Sequence, residues 1–346
     1  MKAALLRGIE DLEFSEDFPK PKPGKGELLV KVRACAVCGT DIKVYHYGHR
    51  LIQFPRITGH ELSGEVVEVG EGVSGLFPGD RVQVAAAIPC GECYYCQRGW
   101  QSMCANLTAI GYHYDGGFAE YLLVPEKALR NGCVNRIPQG LSFDEAALAE
   151  PLACCINGQE ISRVGFGDTV LIIGAGPMGC LHAQLARIKG AKRIFISEVD
   201  EERLESVAFT GADRLVNPLK ENLAQVIKEE NEGRLADQVI VAAGSAPAQI
   251  QALEVVAPRG TINLFGGLPK SQSTLTLDTN LIHYGELKVV GTHGSSPRHN
   301  KLALQVLASG AIKGRDYITG TFTLAQIKEA LAFAESRKGL KVIVKP

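Results

Sequence analysis

The chain has 346 residues, of which 45% are hydrophobic and 22% are charged, and its formal net charge is −1. This length exceeds what one hydrophobic core usually supports, so two domains are predicted. The balanced charge, without any block of like charges, argues against nucleic acid or an anionic membrane as the main partner.

We do not expect the N-terminal segment to be a signal peptide, because its apolar run is broken at Arg7, well before it reaches signal-peptide length. No later stretch approaches the roughly 20 apolar residues that a membrane span needs. We therefore expect a cytoplasmic protein. Ten cysteines in such a chain do not indicate a disulfide framework, and four of them crowd into residues 90–104. This crowding points to metal binding.

Residues 1 to about 150 are predicted to be rich in β-strands. Apolar and polar residues alternate, between Gly, Pro and Asp, in the segments Glu27–Arg33, Gly64–Val69 and Asp80–Ala85. The prolines and glycines of residues 19–26 predict a loop.

From Asp168 onward the pattern changes to short, continuous apolar runs, which are typical of strands buried on both faces. These runs are Thr169–Gly174, Arg193–Glu198, Asp237–Ala242 and Gly260–Phe265. Helical segments lie between them, at Met178–Lys189, Glu201–Thr210 and Asn222–Glu230. This alternation predicts a parallel sheet, and short strands near 214–217 and 287–291 would bring it to six strands.

After Thr292 we expect one helix at about residues 301–309 and a closing strand at 340–344, both packed on the first domain.

A glycine-rich turn follows the first strand of this series and opens a helix. Its sequence has the GxGxxG pattern and supplies five candidate cofactor-binding residues, Gly174, Gly176, Pro177, Met178 and Gly179. The first glycine permits the tight turn, the second lets a pyrophosphate approach the backbone, and the third lets helix and strand pack closely. The N–H groups at the start of the helix would then face the phosphates.

Glu198 stands about 20 residues after this turn, where an acidic residue grips the adenosine ribose. A carboxylate there accepts hydrogen bonds from the ribose hydroxyls and repels a 2′-phosphate, so NAD is predicted over NADP. Arg203, one helical turn beyond, either covers the adenine or is a solvated helix residue. Phe265, Gly266, Gly267 and Thr292 lie where the last two strands are predicted to end, and they are expected near the nicotinamide.

Four cysteines at spacings of two, two and seven intervening residues form a second motif, consisting of Cys90, Cys93, Cys96 and Cys104. Four thiolates can close a tetrahedron around zinc with no open position, as in structural zinc sites. The glycines and tyrosines between them suit a surface lobe. We expect this zinc to hold a loop and to do no chemistry.

The candidate catalytic residues are dispersed along the chain. Cys38 offers a thiolate, His60 and Glu61 offer an imidazole and a carboxylate, and Glu150 offers a second carboxylate. Cys, His and an acid suit a zinc with one position left for water or substrate. A His-Glu pair is more often a surface feature than a ligand pair, and the spacing of Cys35 and Cys38 also suits a redox dithiol, so the residues alone leave these alternatives open.

Taken together and in this order, the Cys38-Gly-Thr-Asp segment, the Gly59-His60-Glu61 segment, the four-cysteine lobe, Glu150-Pro-Leu and the glycine turn resemble those of zinc-dependent medium-chain dehydrogenases, especially the sorbitol and threonine dehydrogenase branch. The resemblance implies an α/β chain with a GroES-like catalytic domain (1–153 and 292–346) and a Rossmann NAD-binding domain (154–291). It also implies an active site in the cleft between the domains, two zinc ions per chain, and a homotetramer or homodimer.

The same resemblance makes Cys38 and His60 ligands of the catalytic zinc. Glu61 and Glu150 would fill the remaining protein positions, directly or through water. Thr40 matches the hydroxyl that passes the substrate proton outward, and Cys35 has no role in the family pattern. Zinc would lower the pKa of the substrate hydroxyl, and hydride would pass to C4 of the nicotinamide.

The sequence departs from the family where relatives commonly carry a relay histidine, because this position is Lys43. Ribose hydroxyls and water, or His46, would then complete the proton path. Lys43, His46, His49 and Arg50 form a basic cluster, which is either a solvated loop or a site for an anionic group of the substrate.

We therefore predict NAD-linked oxidation of a secondary alcohol, preferably a polyol. An anionic substrate, such as a polyol phosphate, a sugar acid or L-threonine, is the alternative. A non-catalytic nucleotide-binding protein is an alternative of another class, and the neutral charge disfavours a zinc-finger nucleic-acid module.

Overall fold

The structure is a computed structural model that describes residues 1–346. The chain divides into two compact units, one made of Met1–Ala153 and Gly294–Pro346, the other of Cys154–His293. None of the helices combines the length and the apolar character required of a membrane span.

The strands are β1 Ala3–Gly8, β2 Asp11–Ser15, β3 Leu28–Ala36, β4 Arg56–Ile57, β5 Glu61–Val69, β6 Arg81–Val84, β7 Ala87–Ile88, β8 Thr108–Ala109, β9 Tyr121–Val124, β10 Val134–Arg136, β11 Thr169–Ile173, β12 Arg193–Ser197, β13 Arg214–Val216, β14 Ala236–Val241, β15 Val256–Leu264, β16 Lys288–Gly291, β17 Ile318–Thr323 and β18 Lys341–Lys345.

The α-helices are α1 Gly39–Tyr47, α2 Tyr94–Gln97, α3 Glu126–Arg130, α4 Phe143–Ala147, α5 Ala149–Ser162, α6 Pro177–Ile188, α7 Glu201–Ser206, α8 Leu223–Glu230, α9 Ala246–Val255, α10 Thr279–Tyr284, α11 Pro297–Ala308 and α12 Ile327–Glu335.

The first unit is built around a seven-stranded sheet with the order β10-β6-β5-β3-β18-β17, in which β9 also pairs with β3. Strands β3 and β5 run antiparallel, and their registers place Ala36 opposite Glu61. Strand β18 pairs with the other edge of β3, where Ile343 lies opposite Ala36. The end of β3, the start of β5 and the C-terminal strand therefore meet at one place.

The second unit is a six-stranded parallel sheet with the order β13-β12-β11-β14-β15-β16. Strands β11 to β13 are added toward one edge of the sheet, and β14 to β16 are added toward the other edge, so the strand order reverses between β11 and β14. Doubly wound nucleotide-binding folds have the same order, and their ligands bind at the carboxyl ends of the strands beside this point. Strand β11 is buried along its whole length, which explains its continuous apolar run. Six parallel strands are what the sequence predicted.

One predicted helix is shorter than expected. Helix α7 ends at Ser206, and residues Ala208–Thr210 form a separate 3₁₀ turn. The hydroxyls of Ser206 and Thr210 donate hydrogen bonds to the carbonyl oxygens of Arg203 and Val207, each 2.8 Å away. Such local side-chain bonds compete with the α-helical ladder.

The C-terminal segment contains two elements that the sequence analysis did not predict. Strand β17 pairs parallel with β18, and helix α12 packs against both strands. Thr323 and Gln326 form a capping box just before α12, a signal that is visible in the sequence.

Candidate metal centres and nucleotide site

Three of the four predicted catalytic ligands come together in the first unit. The thiol sulfur of Cys38, one ring nitrogen of His60 and one carboxylate oxygen of Glu61 lie within 4.8 Å of one another. Cys38 is the N-cap of α1, two residues beyond β3, and Glu61 is the first residue of β5. The β3–β5 register thus brings the Cys38 side chain to His60 and Glu61, which lie 22 and 23 residues further along the sequence.

Gly59 makes the approach of His60 possible. It has φ +88°, and a Cβ placed on it would lie 2.8 Å from Cys35 Sγ and 2.9 Å from the Phe118 ring. A larger residue would displace the chain just before the imidazole. Cys35 is buried and is therefore a packing residue of this turn.

Asp41 supports both neighbouring ligand candidates. Its Oδ2 accepts a hydrogen bond of 2.9 Å from the backbone N–H of Cys38, and its Oδ1 lies 3.5 Å from His60 Nδ1. A histidine that binds a metal through one nitrogen usually points the other toward a carboxylate. This arrangement leaves Nε2 of His60 for a metal, so the donor set fits a zinc ion.

Glu61 is paired with Lys341, a residue that the sequence analysis missed. Glu61 is 1% exposed and Lys341 is 3% exposed, and their side chains form an ion pair. Lys341 Nζ also donates a hydrogen bond of 3.0 Å to the carbonyl oxygen of Val37. Burial raises the pKa of Glu61 to about 7, although the Lys341 ammonium opposes this shift. No local pattern marks Lys341, because β18 brings it to the site from the far end of the chain.

Glu150 does not belong to the group of atoms within 4.8 Å. It lies in the first turn of α5, and its charge is close enough to contribute to the raised pKa of Glu61, of which burial is the largest cause. Its predicted role as a ligand, directly or through water, stays a prediction. The Thr40 hydroxyl lies 3.6 Å from Cys38 Sγ, and its role in proton transfer stays a prediction.

The basic cluster of Lys43, His46, His49 and Arg50 is partly helical, because Lys43 and His46 lie on α1. His46 contacts the carboxylates of Glu10 and Glu335 at 2.7 and 3.1 Å, and these hydrogen bonds raise the pKa of His46. A histidine committed to two carboxylates is poorly placed to finish a proton relay. Lys43 and Arg50 are exposed and form no ion pair.

The ring of Tyr112 lies beside the catalytic candidates, and the sequence analysis missed it as well. Its centroid is 5.6 Å from that of His60 and 5.2 Å from that of His49. Burial raises the pKa of Tyr112 to about 12, so the phenol is protonated at neutral pH. It comes from a turn 52 residues beyond His60, and no motif indicates it.

The four-cysteine lobe is a second candidate metal centre. The sulfur atoms lie within 4.8 Å of one another, and those of Cys90 and Cys96, and of Cys93 and Cys104, are 3.9 Å apart. A tetrahedron with zinc–sulfur bonds of about 2.3 Å has edges of about 3.8 Å. Backbone N–H groups point at the sulfurs, and those of Cys96 and Ala105 lower the pKa of Cys93 to about 6. The geometry and the donors fit a closed zinc site.

The glycine turn of the second unit has the predicted form. Gly174 has φ +107°, Gly176 is the N-cap of α6, and Pro177 occupies its first position. A Cβ on Gly179 would overlap the carbonyl oxygen of Gly174, so helix and strand require this glycine. Met178 lies in the first turn of α6, where the backbone N–H groups have no helical partner.

Glu198 lies in a pocket of about 520 Å³ whose lining includes Gly174, Val199, Leu219 and Ile250. Its Oε2 accepts a hydrogen bond of 2.9 Å from Ala175 N, and its Oε1 accepts bonds from the N–H groups that follow it. These bonds hold a negative charge at the wall of the pocket. An adenosine ribose in this pocket would meet the Glu198 carboxylate.

Arg203 reaches the glycine turn. Its Nη1 is 3.9 Å from a Cβ placed on Gly176, which suits a phosphate better than the adenine that the sequence analysis considered. Its role in cofactor binding remains a prediction.

The remaining cofactor candidates lie at the carboxyl ends of β15 and β16. Phe265 packs edge-on against His182 at 4.5 Å, and Gly266 approaches Ala243 so closely that a Cβ would overlap its backbone. Gly267 has open space around its Cα. The Thr292 hydroxyl donates to Asn263 Oδ1 at 3.0 Å, and the predicted place of Thr292 beside a nicotinamide stays a prediction.

Family models describe the class of this chain. Residues 24–134 match the alcohol dehydrogenase GroES-like domain, and residues 177–309 match the zinc-binding dehydrogenase model. Together with the parallel sheet and the two candidate metal centres, these matches define a zinc-binding dehydrogenase with a GroES-like domain and a Rossmann domain, and they confirm the predicted fold class.

Individual relatives give the family. L-threonine 3-dehydrogenase of Pyrococcus horikoshii is 37% identical over 79% of this chain and 77% of its own length. Sorbitol dehydrogenase of Halalkalibacterium halodurans is 31% identical over 96% of this chain and 95% of its own. A solved zinc-binding dehydrogenase from Sinorhizobium meliloti, bound to NADP, is 34% identical with a TM-score of 0.92 over 100% of this chain and 99% of its own.

The chain therefore belongs to the zinc-dependent medium-chain alcohol dehydrogenase family, as its motifs predicted, and is an enzyme of that family.

Proposed function

We propose that the protein oxidises a secondary hydroxyl of a polyol or sugar alcohol to the ketone, with transfer of hydride to NAD. The observation that carries this proposal is the group formed by Cys38, His60 and Glu61 next to the hydroxyl of Thr40. A sorbitol dehydrogenase that aligns over nearly the whole chain supports the substrate class.

A zinc ion held by Cys38, His60 and Glu61 would supply the positive charge that lowers the pKa of an alcohol hydroxyl. Thr40 accepts the proton that leaves the substrate and passes it outward. Asp41 orients both Cys38 and His60 through the contacts described above, and so keeps the thiolate and the imidazole in place. The nucleotide turn and Glu198 hold the cofactor as NAD.

The proposal is tested with Cys38→Ser and His60→Ala. Each removes a ligand, so we expect NADH formation to fall at least about 100-fold and zinc to fall from about two to about one per chain. Circular dichroism checks that the variants are folded. Near-normal turnover in either folded variant would refute the assignment of the catalytic site.

An anionic substrate is the second candidate, because the ammonium of Lys43 and the guanidinium of Arg50 are exposed and without an ion-pair partner. A phosphate or carboxylate would gain charge-assisted hydrogen bonds there. A panel of polyols with and without a terminal phosphate or carboxylate, together with L-threonine, separates the two candidates by kcat/KM. Lys43→Ala should lower kcat/KM only for the charged substrates.

We also propose that the chain forms a homodimer or homotetramer and acts in the cytoplasm. Strand β16 ends the parallel sheet, and its Val289 and the nearby Tyr284 are 40% and 80% exposed. An open strand edge with apolar side chains is suited to pairing with a second copy. Light scattering after size exclusion measures the subunit number.

A further inference from the structure

Tyr112 lies in a tight turn, residues 109–118, that is held against the segment leading to His60. The backbone N–H groups of Gly116, Gly117 and Phe118 donate to the carbonyl oxygens of Ile57, Gly59 and Thr58, at 2.8, 2.8 and 3.1 Å. Within the turn, Gly111 and Tyr114 are joined by a hydrogen bond of 2.9 Å.

Glycines allow this close approach. A Cβ on Gly116 would overlap the carbonyl oxygens of Thr58 and Gly59, and one on Gly117 would lie 2.8 Å from Cys35 Sγ. Asp115 adds a salt bridge of 3.0 Å to Arg56. The turn and the His60 segment are therefore one rigid piece, and the position of Tyr112 relative to His60 is set by the backbone.

The Tyr112 ring is also held from its other side. The His49 ring meets it at an interplanar angle of 73°, and the His49 Nδ1 accepts a hydrogen bond from Leu51 N. Two imidazoles thus orient the phenol ring, and the favourable geometry of such aromatic pairs limits its rotation.

The hydroxyl of Tyr112 forms no hydrogen bond with the protein, and it is not sealed from solvent. The ring is otherwise packed against the core of the first unit. An oriented donor beside metal-ligand candidates, with no protein acceptor, is suited to a polar group of a ligand.

We infer that Tyr112 is a specificity-determining residue, whose hydroxyl donates a hydrogen bond to a second hydroxyl of the substrate next to the carbon that is oxidised. The inference rests on the proposed function, since it needs an alcohol at the Cys38–His60–Glu61 site. It goes further by requiring a vicinal diol. The Tyr112 hydroxyl takes no part in the proton transfer or the hydride transfer.

The test compares two substrates that differ by one hydroxyl, 2,3-butanediol and 2-butanol, in the zinc-loaded full-length enzyme with NAD. Tyr112→Phe keeps the ring and removes only the donor. We expect kcat/KM to fall about tenfold for 2,3-butanediol and less than about twofold for 2-butanol, as for the loss of one hydrogen bond. Tyr114→Phe, in the same turn, is the matched control and should change neither value.

Zinc content, the KM for NAD and thermal stability are measured in parallel and should match the wild type. An equal loss on both alcohols, or no loss on either, would overturn the inference while leaving the proposed function standing. If the wild type oxidises neither these alcohols nor any polyol of the substrate panel, the proposed function fails, and the role of Tyr112 fails with it.

Discussion

At the scale of single residues, Glu61 and Lys341 form a buried pair of opposite charges in the first unit. Both charges are almost completely removed from water. A buried pair adds little net stability, but removing one partner leaves an uncompensated charge. Lys341 therefore supplies the positive charge that allows Glu61 to be buried in its ionised form at the candidate catalytic site.

We predict that Lys341→Met lowers the free energy of unfolding by about 3–5 kcal/mol and drives Glu61 toward its protonated form. Urea denaturation measures the stability, and the kcat of NADH formation reports the effect on the site. Lys341→Arg, which keeps a buried cation, should lose much less. Equal stability of the Met variant and the wild type would mean that the pair is dispensable.

Glu198 is the residue that decides the cofactor in the proposed function. Its carboxylate is held at the pocket wall by three backbone N–H groups, so a 2′-phosphate would meet a fixed negative charge. The similar zinc-binding dehydrogenase from S. meliloti was solved with NADP, so the ratio of activity with NAD to activity with NADP is a direct test of the role proposed for Glu198.

We expect the wild type to have the higher kcat/KM with NAD, and Glu198→Ala to reduce the ratio of NAD to NADP by about tenfold or more, which is the effect of about 1.4 kcal/mol. Initial rates with both cofactors at a fixed alcohol concentration give the ratio. Glu202→Ala, on the neighbouring helix α7, is the control. Faster turnover with NADP in the wild type would contradict the assignment.

At the scale of elements, the four-cysteine lobe is a segment with almost no core of its own. Its only regular structures are α2 and a three-residue 3₁₀ turn at Gln101–Met103, and the cysteines pack with Leu107 as their one large apolar neighbour. Such a segment cannot order itself by hydrophobic burial, so a bound metal would supply its folding free energy.

We therefore predict that Cys93→Ser reduces zinc from about two to about one per chain and exposes the lobe to proteolysis, while the Cys38 site keeps its metal. Metal analysis and limited proteolysis with mass spectrometry measure these effects. Cys133→Ala removes a buried thiol outside the lobe and should leave the zinc content unchanged. A Cys93→Ser protein with an intact zinc count would disprove a four-thiolate site.

At the scale of the whole molecule, acid stability depends on a histidine buried in the second unit. His182 is fully buried on α6, where its Nδ1 lies 3.3 Å from Gln159 Nε2. Burial lowers the pKa of His182 to about 3. In the unfolded chain its pKa is about 6.5. Between pH 6.5 and pH 3 the unfolded state therefore binds a proton on His182 that the folded state does not bind.

The contribution of His182 to stability is complete above pH 6.5 and declines as the pH falls toward 3. At pH 5 we expect the folded state to be about 2 kcal/mol less stable than at pH 8 from this residue alone. His182→Leu should flatten that part of the profile, whatever its effect at pH 8. His283→Gln, an exposed histidine of the same unit, should not. Unfolding free energies at several pH values decide the matter, and an unchanged slope in His182→Leu would count against it.

The sequence alone determined the features that depend on neighbouring residues. The glycine turn, the parallel strands with their continuous apolar runs, and the cysteine spacing of the lobe are local patterns, because the physical constraint behind each one acts within a few turns of chain. The same holds for Cys38, Thr40 and Asp41 on one short segment. Helix α12 could also have been predicted from the sequence, because the Thr323–Gln326 capping box before it is a local signal.

Only the tertiary structure decided which distant groups meet. Lys341 contacts Glu61 because β18 pairs with β3. Tyr112 lies beside His60 because the turn at residues 109–118 is hydrogen-bonded to the segment that precedes His60. His46 is bound by Glu10 and Glu335, which come from opposite ends of the first unit's sequence. Contacts between residues so far apart in the sequence depend on strand register and packing. No local sequence pattern around a single lysine or tyrosine indicates which distant residue it will contact.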